Sequence, residues 1–265
     1  MTAKLIEIIV LIVRRVLYAN RGEPYEFAGN LLRFTLGSRP IRTKYRNSNN
    51  ANVRNDARQI ELIAASLNSG DTAIDIGAHR GQYGVLMSSR CGHTGNVFCF
   101  EPDPEALEGL LANLALNPQI KPPTIVKAAC SDTNGTTCFY TQGGNSQSSL
   151  AKSALPVGRP TSRIQVQTMR LDDWYTDNRI AEPKLIKIDT EGAEIHILRG
   201  MPNILRDCKA TIVCELHPFA WEEMGVSLND LEEIVSLSGR TMRWLDGSGV
   251  VSAPVPYGTV LLELQ

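Results

Sequence analysis

Short apolar runs alternate with amphipathic helical stretches along most of this chain, and that alternation limits the fold more than any other feature. The runs at 72–76, 96–100, 125–129, 185–189, 211–215 and 257–263 are strand-sized and apolar enough to be buried on both faces. Between them, Ile60, Leu62, Ile63 and Leu67 recur at helical spacing over 56–67, and Asn68-Ser69-Gly70 closes that helix. Leu107, Leu110, Leu111 and Leu114 mark a second helix over 104–117, and 82–89 reads as another. Strands separated by helices predict an α/β fold with a mostly parallel, doubly wound sheet covered on both faces.

The 265 residues suit one large domain over 56–265 preceded by an N-terminal helical extension and loop over 1–55. Twenty-seven basic and 28 acidic side chains leave a net charge of −1, which supplies no field to recruit nucleic acid. Six cysteines occur without a Cys-x-x-Cys pair, which argues against a zinc cage and for reduced, structural thiols in a cytoplasmic chain. The apolar stretch 5–13 contains Glu7 and is followed by Arg14-Arg15. Nine residues cannot span a bilayer, which takes about 20 in a helix, and the charge follows rather than precedes the run, unlike a signal peptide. A helix over 4–19 is expected to pack on the domain or on a second copy as a homodimer, with peripheral membrane contact as the alternative. Residues 39–55, polar and rich in Asn, read as a loop. Residues 141–163, rich in Gly, Ser and Gln, read as an insertion or mobile loop near the site.

Asp75-Ile76-Gly77-Ala78-His79-Arg80-Gly81 lies between a strand and a helix, where open parallel sheets bind ligands. Its spacing is Asp-x-Gly-x-x-x-Gly, which matches neither the dinucleotide fingerprint nor a phosphate-binding P-loop. An acid at that strand end suits a ligand bearing an ammonium group. Glu101 ends the second strand, 20 residues beyond Gly81, where a carboxylate can accept both hydroxyls of a ribose. The third strand runs into Ser131-Asp132, where a short acid can receive an adenine amino group. Three such groups past consecutive strands describe one nucleoside site, formed by Asp75, Gly77, Ala78, Gly81, Glu101, Ser131 and Asp132.

Asp189 follows the fourth strand and should lie beside the glycine loop, facing the ligand or orienting an acceptor. Glu191 and Glu194 fall near a helix start, where Glu194 is expected chiefly to complement the helix dipole. Strand alternation places Glu215 and His217 on one side after the fifth strand, and His217 is the preferred proton acceptor, with Glu215 or Asp189 to orient it. His79, His93 and His196 are expected to be structural. Asp189, Glu191 and Glu215 are hard oxygen ligands that leave a metal possible, but nothing in the sequence sets their geometry, and no metal is assigned.

These residues resemble the FkbM-type methyltransferase family. The matching pieces are the 75–81 loop, Phe100-Glu-Pro-Asp-Pro104, Ala129-Cys-Ser-Asp132 with Gly135, Leu171-Asp-Asp-Trp174, Ile186-Lys-Ile-Asp-Thr-Glu-Gly-Ala-Glu194 with Leu198-Arg-Gly200, and Glu215-Leu-His217. They stand in family order over about residues 56–263. The resemblance implies a Rossmann-like class I fold, an S-adenosyl-L-methionine site, and O-methylation of a sugar, glycan or polyketide-type hydroxyl. His79 departs from the Asn often found there. Two rivals stand beside this reading: a nicotinamide-dependent oxidoreductase, disfavoured by the glycine spacing, and a non-catalytic or membrane-associated cofactor-binding module.

Overall fold

The computed structural model describes residues 12–144, 147–158, 160–249 and 251–264. Its centre is a seven-stranded sheet in the order β11-β12-β10-β9-β3-β4-β5. These strands are β3 (Thr72–Ile76), β4 (Asn96–Phe100), β5 (Thr124–Val126), β9 (Leu185–Ile188), β10 (Thr211–Leu216), β11 (Arg240–Trp244) and β12 (Gly258–Leu264). β5, β4, β3, β9 and β10 run parallel, whereas β12 lies antiparallel between β10 and β11. The chain winds from β3 out through β4 to β5, then returns to β9 beside β3, so the order reverses between β3 and β9.

Side chains alternate across this sheet. Ile74, Ile76, Ile186 and Ile188 enter one core cluster, with Leu198, Ile212 and Leu216. Ala73, Leu185 and Val213 enter the opposite one, with Ile60, Val85 and Leu86. The first long helix, α1 (Ala51–Ser66), begins earlier than the apolar spacing predicts, because Asn50 caps it by accepting from the backbone N–H groups of Asn52 and Val53. α2 (Gln82–Cys91) follows the glycine loop, and α3 (Pro104–Ala115) is capped by Asp103.

Three parts of the architecture differ from the sequence-based expectation. Residues 1–55 are not only helix and loop: β1 (Glu23–Phe27) and β2 (Asn30–Phe34) form an antiparallel hairpin. Its two-residue turn, Ala28-Gly29, has positive φ at both positions, a conformation usually announced by Asn-Gly and here disguised by Ala. Tyr25, Phe27, Leu32 and Phe34 point into the core beside Ile60 and Val85. The run at 125–129 is not one strand. Ala128 N–H donates to the Val126 carbonyl at 2.9 Å, turning the chain out of the main sheet. Ala129–Cys130 (β6) then joins β7 (Gly135–Thr141) and β8 (Ser162–Met169) in a separate three-stranded sheet. Between β7 and β8, Ser149 packs back toward β9, its Oγ donating to the Glu191 carbonyl at 2.7 Å.

Residues 12–18 are helical and Arg14 bonds Glu23 at 2.6 and 2.7 Å. Ile12, Val13, Val16 and Leu17 on this segment are exposed rather than packed on the domain. The rest of the apolar run, residues 5–11, lies outside the described residues. Among the described residues no helix is long and apolar enough to cross a membrane. All six cysteines are free thiols, and only Cys138 is not buried.

Candidate active site

A cavity opens at the carboxyl ends of β3, β4 and β9, where the strand order reverses. Ile76, Phe100, Ala129, Phe139 and Leu150 supply its apolar walls. Glu101 supplies its buried acid, accepting from His79 N–H at 2.6 Å and Asp103 N–H at 2.8 Å. Burial pushes the Glu101 carboxyl up to about 7, against those two backbone donors. Among the described residues no lysine or arginine lines the cavity. Asp103, at its rim, is committed to capping α3 and to the Thr141 hydroxyl at 2.5 Å.

Gly77 forms the floor between this cavity and a second hollow. It sits at φ 81°, and a Cβ there would lie 1.8 Å from the Asp189 carbonyl oxygen, so only glycine lets the two loops meet. The second hollow is polar, with Arg39, Asp56, Gln82, Tyr83 and Lys187 in its walls. Gly77, His79, Asp189 and Glu191 line both spaces.

Lys187 is buried, yet its Nζ donates to Asp189 Oδ2 at 2.8 Å and lies 4.3 Å from the centre of the Tyr83 ring. Burial opposes its charge, but Asp189, Asp75 and Glu215 outweigh burial and keep the ammonium ionised. Burial likewise opposes ionisation of Asp189, and Lys187 with His217 holds its carboxyl below the ordinary range. Glu191 has no such lysine; burial pushes it up to about 8 although His217 partly offsets this. His217 is 1% exposed, with Nδ1 2.7 Å from Glu194 Oε1. Burial alone would lower it, but Glu194, Glu191 and Asp189 together raise it to about 10. These carboxylates favour the protonated imidazole, so the surroundings of His217 oppose the free-base form expected from the sequence.

Several predicted residues meet here and others do not. Gly77, Glu101 and Asp189 line the cavity, and Ala78 lines the second hollow. Asp75 does not reach the cavity: it alternates with Ile76 on β3 and so falls on the opposite face of the sheet, 1% exposed, under α2. There it answers the charge of Lys187, while burial raises it to about 6. Gly81 turns the chain into α2 against Leu110. Ser131 and Asp132 lie in a separate hollow, because the chain leaves the main sheet before reaching them; Asp132 accepts from His196 across 2.9 Å.

Glu215 does not orient His217. β10 ends at Leu216, His217 turns into a 3₁₀ segment, and alternation stops applying there. Glu215 accepts instead from Gln59, Asn55 and Tyr257. The orienter is Glu194, fully buried, which also accepts from Gly192 N–H at 2.8 Å. Sequence reasoning had assigned Glu194 to the helix dipole and His79 to structure; His79 lines the cavity and bonds the Gly144 carbonyl at 2.8 Å. The Glu-Gly-Ala-Glu spacing was the available signal for Glu194, since a glycine beside it lets the chain fold its carboxylate inward.

A parallel sheet reversing between β3 and β9, carrying one antiparallel strand near its edge and an apolar-walled cavity at the reversal, is the Rossmann-like fold of class I methyltransferases. The sequence profile of the family described as methyltransferase FkbM domain matches residues 75–243. The chain belongs to that family and is an S-adenosylmethionine-dependent methyltransferase. It is 25% identical over 211 residues to the hexuronic acid methyltransferase AglP of Haloferax volcanii, covering 80% of this chain and 78% of that protein. It is 27% identical over 188 residues to the methyltransferase sdnD of Sordaria araneosa, covering 61% and 71%. Against the 2-O-methyltransferase NoeI of Sinorhizobium fredii it is 28% identical over 116 residues, or 39% of this chain and 46% of that protein.

Proposed function

We propose that this enzyme transfers a methyl group to a hydroxyl oxygen of a sugar or similar polyhydroxylated acceptor. The observation that carries the reading is the pair of spaces sharing Gly77, Asp189 and Glu191: one walled largely by apolar side chains around the buried Glu101, the other polar and charged. The first fits the donor. Glu101 would accept its ribose hydroxyls, the apolar walls would hold its base, and the glycine floor leaves room for its approach. Asp75, Ser131 and Asp132 drop out of the binding set for the reasons given above. Bound S-adenosylmethionine supplies a methyl group already activated on a sulfonium.

The residues of this chain contribute alignment and a destination for a proton. Arg39, Gln82 and Tyr83 offer polar contacts to a hydroxylated acceptor in the second hollow. Asp189, locked by Lys187, stands at the junction. The acceptor proton passes to the ionised Asp189 carboxylate, beside Glu191 and His217. The relatives support an oxygen acceptor, one being a hexuronic acid methyltransferase and another a 2-O-methyltransferase.

Calorimetric titration with S-adenosylmethionine tests the donor assignment. Glu101→Ala should weaken binding about 10- to 100-fold, the loss of hydrogen bonds to a charged acceptor. Binding unchanged in the variant removes Glu101 from the site, and no binding by folded wild-type protein removes the cavity assignment.

A further inference from the structure

His217 reaches the junction already oriented. Glu194 holds Nδ1, so that nitrogen keeps its hydrogen, and Nε2, whose proton a bound cation would displace, is turned toward the cluster. Nε2 makes no hydrogen bond among the described residues, although the side chain is 2% exposed. It faces Glu191 Oε2 at 3.5 Å and Asp189 Oδ1 at 3.9 Å, beyond ordinary hydrogen-bond length. Asp189 is aimed the same way, because Lys187 occupies its other oxygen and leaves Oδ1 for the cluster.

These three atoms have the spacing of a coordination sphere rather than of a closed hydrogen-bonded set. Ligands about 2.1 Å from a first-row divalent ion lie roughly 3.0–3.5 Å apart, so the His217–Glu191 pair already has that spacing and the other pairs would have to close by up to about 1 Å to seat one. One ligand atom from each of the three residues already falls within 4.8 Å of the others. The buried carboxylate behind the imidazole is the arrangement that sets the tautomer and direction of a metal-bound histidine.

We propose that Asp189, Glu191 and His217 bind one divalent first-row cation, with Glu194 as the outer carboxylate that positions His217. One imidazole nitrogen with two carboxylate oxygens suits Mn²⁺ or Zn²⁺, at a site to which the sequence assigned no metal. The remaining coordination positions face the space shared by the two hollows, where an acceptor hydroxyl would meet the ion and become more acidic. That last role rests on the methyl-transfer reading; the binding site itself does not.

The test is titration of the EDTA-treated, dialysed full chain with Mn²⁺, followed by loss of the free-ion electron paramagnetic resonance signal, and competition by Zn²⁺. Wild type should take up one ion per chain. His217→Gln, Asp189→Asn and Glu191→Gln should each weaken uptake at least tenfold, whereas the exposed Glu233→Gln should not. Circular dichroism and S-adenosylmethionine binding identify any variant that has failed to fold, and the other two then carry the comparison. A folded wild type that takes up neither ion at millimolar concentration overturns the proposal, as does uptake undiminished in all three folded variants. Metal-free protein that still binds S-adenosylmethionine leaves the methyltransferase reading intact, so the two failures are distinguishable.

Discussion

The two spaces on either side of Gly77 share a floor but do opposite electrostatic work. The cavity beneath Glu101 is walled by Ile76, Phe100, Phe139 and Leu150, and the buried Glu101 carboxyl is held there by two backbone N–H groups. The junction and hollow beyond it gather Asp56, Lys187, Asp189, Glu191 and Arg39, with His217 and Glu194 close behind. A site that recognises a nucleoside needs shape and a few hydrogen bonds. A site that handles a proton needs groups whose charges depend on one another, and burial strengthens that dependence. The contrast teaches that one glycine contact, Gly77 against Asp189, keeps two different chemistries adjacent without mixing them.

The most severe way to break the comparison is Gly77→Ala. The new Cβ collides with backbone at a positive φ, so neither side can give way. Destabilisation of about 3–5 kcal/mol is expected, read as a fall in thermal midpoint or loss of soluble protein. Gly29→Ala is the control: φ is also 81° but nothing lies within 4 Å of the added atom. It should cost only about 1 kcal/mol.

Glu194→Gln separates the two sides functionally. It weakens the hold on His217 without touching the nucleoside cavity, so turnover should fall about 10²-fold while S-adenosylmethionine affinity stays within twofold. Equal losses in both would merge the two spaces into one.

Glu101→Gln sharpens the other side through pH. Glu101 ionises near 7 in the fold against an ordinary 4.5, so the folded chain keeps a proton that the unfolded chain has released. Its contribution to stability is therefore lost as pH rises from about 4.5 to 7. The glutamine variant should match wild type near pH 4 and gain on the order of 1–3 kcal/mol at pH 8, seen in denaturant unfolding, even as cofactor binding weakens. In wild type, cofactor affinity should fall as pH drops below 7 and the carboxylate is protonated.

The smallest expected effect lies away from both spaces. Asn117 accepts from Arg33 N–H at 2.8 Å and donates to the Arg33 carbonyl at 2.6 Å, standing in for a strand partner of the N-terminal hairpin. Asn117→Ala should cost about 1–2 kcal/mol, measured by chemical denaturation, with turnover unchanged.

The legibility of the molecule follows the range of the forces involved. β3, β4, β9 and β10 were readable because a strand buried on both faces must be continuously apolar. The placing of Gly77, Glu101 and Asp189 at the carboxyl edge of the sheet, where they line the cavity, was readable because position after a strand is a local property. The Ala28-Gly29 hairpin was not, since alanine gives no sign of the positive φ the turn imposes on it. Nor was the split after Val126, which a single backbone turn decides within an otherwise apolar run. Asp75 shows the same limit at one residue: its place in the motif suggested a ligand contact, and the pleat sent it to the other face.

By itself, the order of apolar and polar residues determined the doubly wound sheet, the site at its carboxyl edge and the glycine that must sit there, because each follows from burial, periodicity or backbone freedom within a few residues. Which carboxylate serves His217 was decided only by the tertiary structure. Glu194 and Glu215 carry the same side chain, but only one is brought to Nδ1, and three carboxylates that packing brings around His217 favour its protonated form.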